Sequence, residues 1–471
     1  VSSIVDTISS VPLSDWYTSI IAIIFIAVSL TSVEFGLKYF NIPSLYTRKF
    51  IHIITGLIIC IVAYFLNSNV PLIIFATAYI LIDFWSLKKG KFKSIHPDTK
   101  SFGTLFYAIS VMILAILFWD PNKSLFIITN LIMIIPDAMA AIMGDLYGRR
   151  YFIPLKEKKS LVGALTMFIL TFLIVFVFLE YFYRNPQGTH LVIAMIVGVI
   201  ATVSEIVSYR GSDNLSVPLF SGLFLYILLI MADSGIFIMI TFGTILASIV
   251  AVLSMRLHFL DLGGAALAFL MGSIIFGLGG WAYTFPILGF FILSSILSKI
   301  GRSKKKQFEA NYQKTGVRDF QQALANGGVG TAIVLIAFFT QVESFYYVYI
   351  ASLAAATADT WGTELGVFSK SKPFLITNFK RVEPGTSGGI SLIGTLSAFV
   401  GSMIIVLISS LFYPYTSGQF VFITLIGFLG SLIDSILGAT VQGQFRCNNC
   451  GINTESKVHC NSSATLVHGF L

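Results

Sequence analysis

Asp137 is followed after 7 residues by Gly144, after 22 by Lys159 and after 26 by Gly163; Asp359 is followed after 7 by Gly366, after 22 by Arg381 and after 26 by Gly385. An acid, a glycine, a base and a second glycine thus recur in one order, in PDAMAAIMGDLYGRRYFIPLKEKKSLVGA and in ADTWGTELGVFSKSKPFLITNFKRVEPGTSGG. Nucleotide phosphates with a hard divalent cation call for such a set. Carboxylates suit Mg²⁺, Lys or Arg suits phosphate oxygens, and glycine lets backbone N–H groups come close.

In the first half, Asp137 is assigned to metal and Lys159 and Ser160 to phosphate, with Lys158 able to stand in for Lys159. Gly144, Gly148 and Gly163 are assigned to close backbone approach. Asp213 and Asn214, in SDNLSVPLFSG, offer a second oxygen-ligand pair or a general base for an acceptor hydroxyl, although Asx residues before a proline also simply end loops. Arg48, Lys49 and His52 open the second helix, where His52 is either a proton carrier or a structural interfacial histidine.

In the second half, Asp359 and Glu364 can share one metal if the helix ends between them, with Asp434 as a third oxygen donor. Lys380 and Arg381 supply charge, and Gly385, Thr386, Gly388 and Gly389 form a phosphate-contacting turn. Asn326, Gly327 and Gly328, in NGGVG, offer amides beneath a phosphate or mark close helix packing. In CNNCGINTESKVHC, Cys447, Cys450, His459 and Cys460 make a four-ligand set for a structural Zn²⁺. Cys60 reads as a packing residue.

The elements that position these groups are membrane helices. Of 471 residues, 56% are hydrophobic and only 11% charged, with a mean hydropathy of +0.86; a water-soluble globule carries roughly 25% charged residues. Apolar runs of about 20 residues suit helices that cross a bilayer, and their lack of alternation excludes a barrel. Helices are predicted over 16–33, 50–66, 69–87, 101–118, 124–144, 160–182, 190–208, 216–232, 236–256, 262–279, 284–300, 321–341, 346–364, 387–411 and 420–441. The fold class is therefore all-α and polytopic, with about 15 helices in two tandem bundles, 1–255 and 256–471, the latter carrying a Cys loop over 446–460. No signal peptide is expected, and the second half reaches Leu471 where the pattern of the first half calls for one more helix.

With the first helix running outside to inside, only Lys123 and Arg184 of the 30 Lys and Arg fall in outer loops, so the N-terminus is expected outside and the acid, base and glycine loops on the cytoplasmic face. The net charge of +8 then reflects topology and attraction to anionic lipid or phosphate, and no nucleic-acid partner is required.

From RKFIHIITG through KKSLVG to SDNLSVPLFSG, the first half resembles the phytol, farnesol and dolichol kinases, relatives of the phosphatidate cytidylyltransferases. From GGAALAFLMGSIIFGLGGW through NGGVG, ADTWGTELG, RVEPGTSGG and SLIDSILGATVQ to the C-x-x-C loop, the second half resembles the phytyl-phosphate kinase family, domain of unknown function 92. The first resemblance implies CTP as phosphoryl donor, with nucleotide and metal positions on Asp137, Gly144, Lys159, Gly163, Asp213 and Asn214. The second implies them on Asn326, Asp359, Glu364, Gly385, Thr386 and Asp434. Together they imply that an isoprenoid alcohol becomes a prenyl monophosphate and then a diphosphate, with Mg²⁺ as cofactor and membrane lipid as the medium. Cytidylyl transfer to a lipid phosphate, or transport, are the rival expectations.

Overall fold

The computed structural model describes residues 9–40, 43–89, 102–183, 188–231, 234–305, 317–382, 384, 386–451, 453–454, 458–460 and 462–469. Lipid offers the backbone no hydrogen-bond partner, so apolar runs close their own bonds as helices. Among the described residues, twelve helical segments are long and apolar enough to cross a membrane, and the chain is an all-α, multi-pass membrane protein. All fifteen predicted helices coincide with helical segments.

Contacts divide the chain into two compact units, Val1–Thr241 and Phe242–Leu471; the sequence reading put the junction at 255/256. The first unit holds α1 (Leu13–Phe40), α2 (Ser44–Phe65), α3 (Val70–Lys89), α4 (Gly103–Tyr147), α5 (Leu161–Phe182), α6 (Thr189–Ile206) and α7 (Asp213–Tyr226), the last extended by a π turn over Ile227–Met231. A two-stranded hairpin, β1 (Tyr151–Phe152) with β2 (Lys159–Ser160), joins α4 to α5, and α8 (Ser234–Arg256) leads out. The second unit holds α9 (Leu262–Lys305), α10 (Phe320–Thr340), α11 (Ser344–Gly366), α12 (Leu392–Ser409) and α13 (Ser417–Thr440). Its hairpin is β3 (Phe374–Leu375) with β4 (Gly389–Ile390), and a small sheet follows, β5 (Gln444–Cys447), β6 (Asn453–Thr454), β7 (Val458–His459) and β8 (Ser462–His468).

Two predicted helix pairs are single, bent helices. In α4 the break is at Asn122 (φ −168°, ψ 103°), after Pro121; its Oδ1 accepts the Ser124 N–H at 2.9 Å and so caps the second limb. In α9 it is at Gly280, whose φ of 61° suits glycine. The helix predicted from 387 starts only at Leu392, because Gly389 and Ile390 pair with Leu375 and Phe374 instead.

The second limb of α4 lies at the centre of the first unit, with Ile132, Met133, Ile134 and Ala138 fully buried. In the second unit α11 has that place, through Tyr349, Ile350, Leu353, Ala354 and Ala358. Helix α5 shows what surrounds them: Gly163, Met167, Thr171 and Val175 are buried, whereas Leu165, Ile169, Leu173 and Val177 are exposed. Its outward face is as apolar as its inward one. Lipid is the solvent that face fits.

Candidate active site in the membrane-embedded units

At one end of the first unit, five elements bring ionisable side chains together. Asp137, ten positions before the last residue of α4, is only 3% exposed. Its Oδ2 accepts from Lys49 Nζ of α2 at 2.6 Å, with His52 Nε2 one helical turn on at 4.0 Å. The His52 ring stands edge-on to Tyr107, whose buried hydroxyl has no hydrogen-bond partner. Beside this pair, Lys159 Nζ of β2 donates to Glu205 Oε1, at the end of α6, at 2.6 Å. Asp213, which opens α7, lies within the electrostatic reach of both lysines.

A left-handed turn at Arg210 (φ 53°) and Gly211 (φ 88°) returns the chain from α6 to α7 and so delivers Asp213 and Asn214. The Arg210 N–H donates to Glu157 at 2.7 Å, which ties this turn to the β1–β2 hairpin. Asn214 Nδ2 donates to the Gly103 carbonyl at 3.0 Å, while its Oδ1 is buried without a hydrogen-bond partner. Burial pulls the Lys159 ammonium pKa down, but Glu205, Asp213 and Asp137 carry it above its ordinary value. Lys159 therefore stays cationic at every physiological pH. Two cations and three carboxylates concentrated at one bundle end can bind phosphate and a hard cation together.

The predicted glycines serve a different purpose from the one expected. Ser160 caps α5 by accepting the Gly163 N–H at 2.9 Å. A Cβ on Gly144 would stand 2.7 Å from Ser160 Oγ, and one on Gly163 would stand 2.9 Å from the Ala140 carbonyl oxygen. These glycines let α4 and α5 touch backbone to backbone, and Gly148 closes α4 by donating to the Gly144 carbonyl at 3.2 Å. Close approach is real, but between helices. Gly163→Val should cost about 1–3 kcal/mol by overpacking, read as a lower thermal midpoint in detergent. Gly418→Ala, with open space around it, should be silent.

The same lock recurs in the second unit, and it corrects the sequence alignment. Ser391 caps α12 through the Gly394 N–H at 3.1 Å; a Cβ on Gly394 would lie 2.9 Å from the Gly362 carbonyl oxygen, and one on Gly366 would lie 3.5 Å from Ser391 Oγ. The counterparts of Ser160 and Gly163 are thus Ser391 and Gly394. The matched intervals to Arg381 and Gly385 are coincidental, because the second hairpin is longer. Gly385 itself lies outside the described residues.

On that hairpin Lys380 and Arg381 are exposed, and Arg381 lies over the Phe374 ring. Gly388 (φ 76°) presses on Ser435 and Ala439 of α13, one and five residues beyond the exposed Asp434, and Ser387 Oγ donates to Gln442 Oε1 at 2.7 Å. Thr386 precedes it, half-buried. On α11, Asp359 and Glu364 are half-buried in one unbroken helix, so the expected helix end between them is absent. Glu364 Oε1 accepts from Ser298 Oγ of α9 at 2.9 Å. Sequence reasoning passed over Arg318: it precedes α10, feels Glu364 electrostatically and has a buried Nη2 without a hydrogen-bond partner. Asn326, Gly327 and Gly328 lie inside α10, where the helix uses their amides; Gly327 packs on Met271 instead of cradling phosphate.

Cys447, Cys450 and Cys460 lie with their sulfurs within 4.8 Å of one another. The side chain of His459 lies outside the described residues.

Three comparisons bear on this geometry. A family model described as integral membrane protein DUF92 matches residues 245–470. Protein PGR of Arabidopsis thaliana is 34% identical over 232 residues, covering 44% of this chain and 80% of that protein. An uncharacterized membrane protein of Methanocaldococcus jannaschii is 34% identical over 229 residues, covering 47% and 88%. The phytol kinase of Synechocystis is 32% identical over 189 residues, covering 38% of this chain and 78% of that enzyme. No solved structure matches the chain.

Proposed function

Since the chain belongs to the integral membrane protein family DUF92 and is related to phytol kinases, we propose that it phosphorylates an isoprenoid alcohol of the phytol, farnesol or geranylgeraniol type in its first unit and the resulting prenyl monophosphate in its second, with CTP as donor. The observation that carries the reading is the cluster of Lys49, Asp137, Lys159, Glu205 and Asp213 at one end of a helical bundle, with Asp137 buried and the other four half-buried. A prenyl tail can stay in lipid along faces such as that of α5 while its hydroxyl reaches that end. By the distribution of Lys and Arg, this end is the cytoplasmic one.

Lys159 and Lys49 hold the phosphate oxygens of the nucleotide, and Glu205 keeps Lys159 aimed. The acceptor oxygen forms its new bond to the terminal phosphorus as the bond from that phosphorus to its bridging oxygen breaks. The hydroxyl proton passes to Asp213, and the nucleoside diphosphate leaves with the electron pair. Holding acceptor and donor in line supplies most of the acceleration. An oxygen donor for a hard cation is offered by Asn214 Oδ1, which is buried without a hydrogen-bond partner and follows Asp213 in the chain. Mg²⁺ held by Asp137 and Asn214 would neutralise charge on the transferred phosphoryl.

In the second unit Arg318 is assigned to the incoming monophosphate, with Asp359, Glu364 and Asp434 as oxygen donors and Lys380, Arg381, Thr386 and Gly388 facing the nucleotide. Purified protein given a prenyl alcohol and CTP labelled in its γ-phosphate should place that label in the lipid and release CDP. Label from the α-phosphate in the lipid, with release of pyrophosphate, would instead mean cytidylyl transfer. Failure of every prenyl acceptor to take up either label would end the proposal.

A further inference from the structure

Strands β5–β8 form a four-stranded antiparallel sheet in the order β6-β5-β8-β7. A sheet of this size needs an apolar face packed against something. Among its described residues only Phe445 and Cys447 are buried, while Leu466 and Val467 of β8 are 54% and 59% exposed. A module so poor in buried apolar surface needs a staple.

Three sulfurs are in place for one. Cys447 ends β5, Cys450 sits in the turn closed by the Gly451 N–H on the Cys447 carbonyl at 2.9 Å, and Cys460 follows β7 in a left-handed conformation (φ 51°). Their Sγ atoms all lie within 4.8 Å of one another, and those of Cys450 and Cys460 are 3.9 Å apart. Tetrahedral Zn²⁺ with Zn–S bonds of about 2.3 Å sets sulfurs about 3.8 Å apart. A disulfide would use two of the three thiols, and none of the four cysteines is in one. Three soft sulfurs select Zn²⁺ over the oxygen-seeking Mg²⁺.

We propose that Cys447, Cys450 and Cys460 bind one Zn²⁺ as thiolates, and that this metal folds β5–β8. His459, adjacent to Cys460 in the chain, is the first residue to test as fourth ligand. The site is structural, since its ligands come from the ends of strands whose described residues bury little apolar surface. The strand that ends in Cys447 begins two residues after Gln442, which accepts from Ser387 Oγ at 2.7 Å.

The full-length chain, purified in detergent without chelator, should carry one Zn²⁺ by elemental mass spectrometry. Cys450→Ser and Cys460→Ser should each lose most of it, and Cys60→Ser should keep it. After exchange with Co²⁺, thiolate-to-metal charge-transfer absorption should fall by about a third in each single-cysteine variant that still binds metal. Stripping zinc from the unmutated chain should raise amide exchange in β5 and β8 by at least about tenfold while α11 and α12 stay protected. The proposal fails if the wild-type chain supplied with Zn²⁺ remains metal-free, or if thiol titration in denaturant without reductant finds a disulfide among the three.

Discussion

Asp137→Asn is expected to lower phosphorylation of a prenyl alcohol by at least about 10²–10³-fold, the scale of losing one charged contact to a transferred group, while turnover of added prenyl monophosphate stays within about twofold. The amide keeps the volume of the carboxylate but strips Lys49 of the partner it holds at 2.6 Å. A lone buried ammonium costs about 3–5 kcal/mol, so the single variant will also be less stable. Lys49→Met combined with Asp137→Asn removes both charges and should recover much of that stability without recovering activity. Recovery of alcohol phosphorylation in the double variant would make the pair architectural. Loss of both steps in a folded Asp137→Asn protein would show that the two reactions do not have separate sites.

Arg318→Met should do the reverse, cutting turnover of prenyl monophosphate by about 10²–10³-fold and leaving alcohol phosphorylation intact. The half-buried Arg318 lies over the Phe290 ring with its buried Nη2 lacking a hydrogen-bond partner, an arrangement that costs energy unless an anion arrives to complete it. Arg318→Lys keeps the charge but loses the planar fork, and should restore only part of the rate. Equal loss of both steps, or a wild-type rate in Arg318→Met, would remove Arg318 from phosphate binding. Assays with separately added alcohol and monophosphate distinguish these outcomes.

The helices were legible because their signal is local: a run of apolar residues of the right length declares itself without knowledge of its neighbours. Bends were not. Asn122 and Gly280 read as loops, yet Asn122 caps the limb that follows and Gly280 adopts a positive φ within α9. The interval from Asp137 to Gly144 and from Asp359 to Gly366 is fixed by helix geometry and keeps its meaning in both units. Beyond the helix end the hairpins differ in length, so counting residues led to Gly385 when the chain had placed Ser391 and Gly394 against α11. Asp137, Lys159 and Asp213 stood out as ionisable groups beside apolar runs. Their pairings did not, since Lys49 is 88 residues from Asp137 and Glu205 is 46 from Lys159. Arg318 looked like one more inner-loop cation until packing enclosed it.

The short bond between Lys49 and Asp137 also bears on how the chain enters the bilayer. A carboxylate on a hydrophobic segment resists partitioning, by about 2.5–3.5 kcal/mol at the segment's centre and by less toward its end, and the limb of α4 that carries Asp137 must overcome some of that resistance during synthesis. Lys49 is made 88 residues earlier. If α2 waits beside the translocon, the incoming acid meets its counter-ion at once and crosses as a neutral pair. Order of synthesis then becomes part of the design, with an early helix acting as the receptor for a late one.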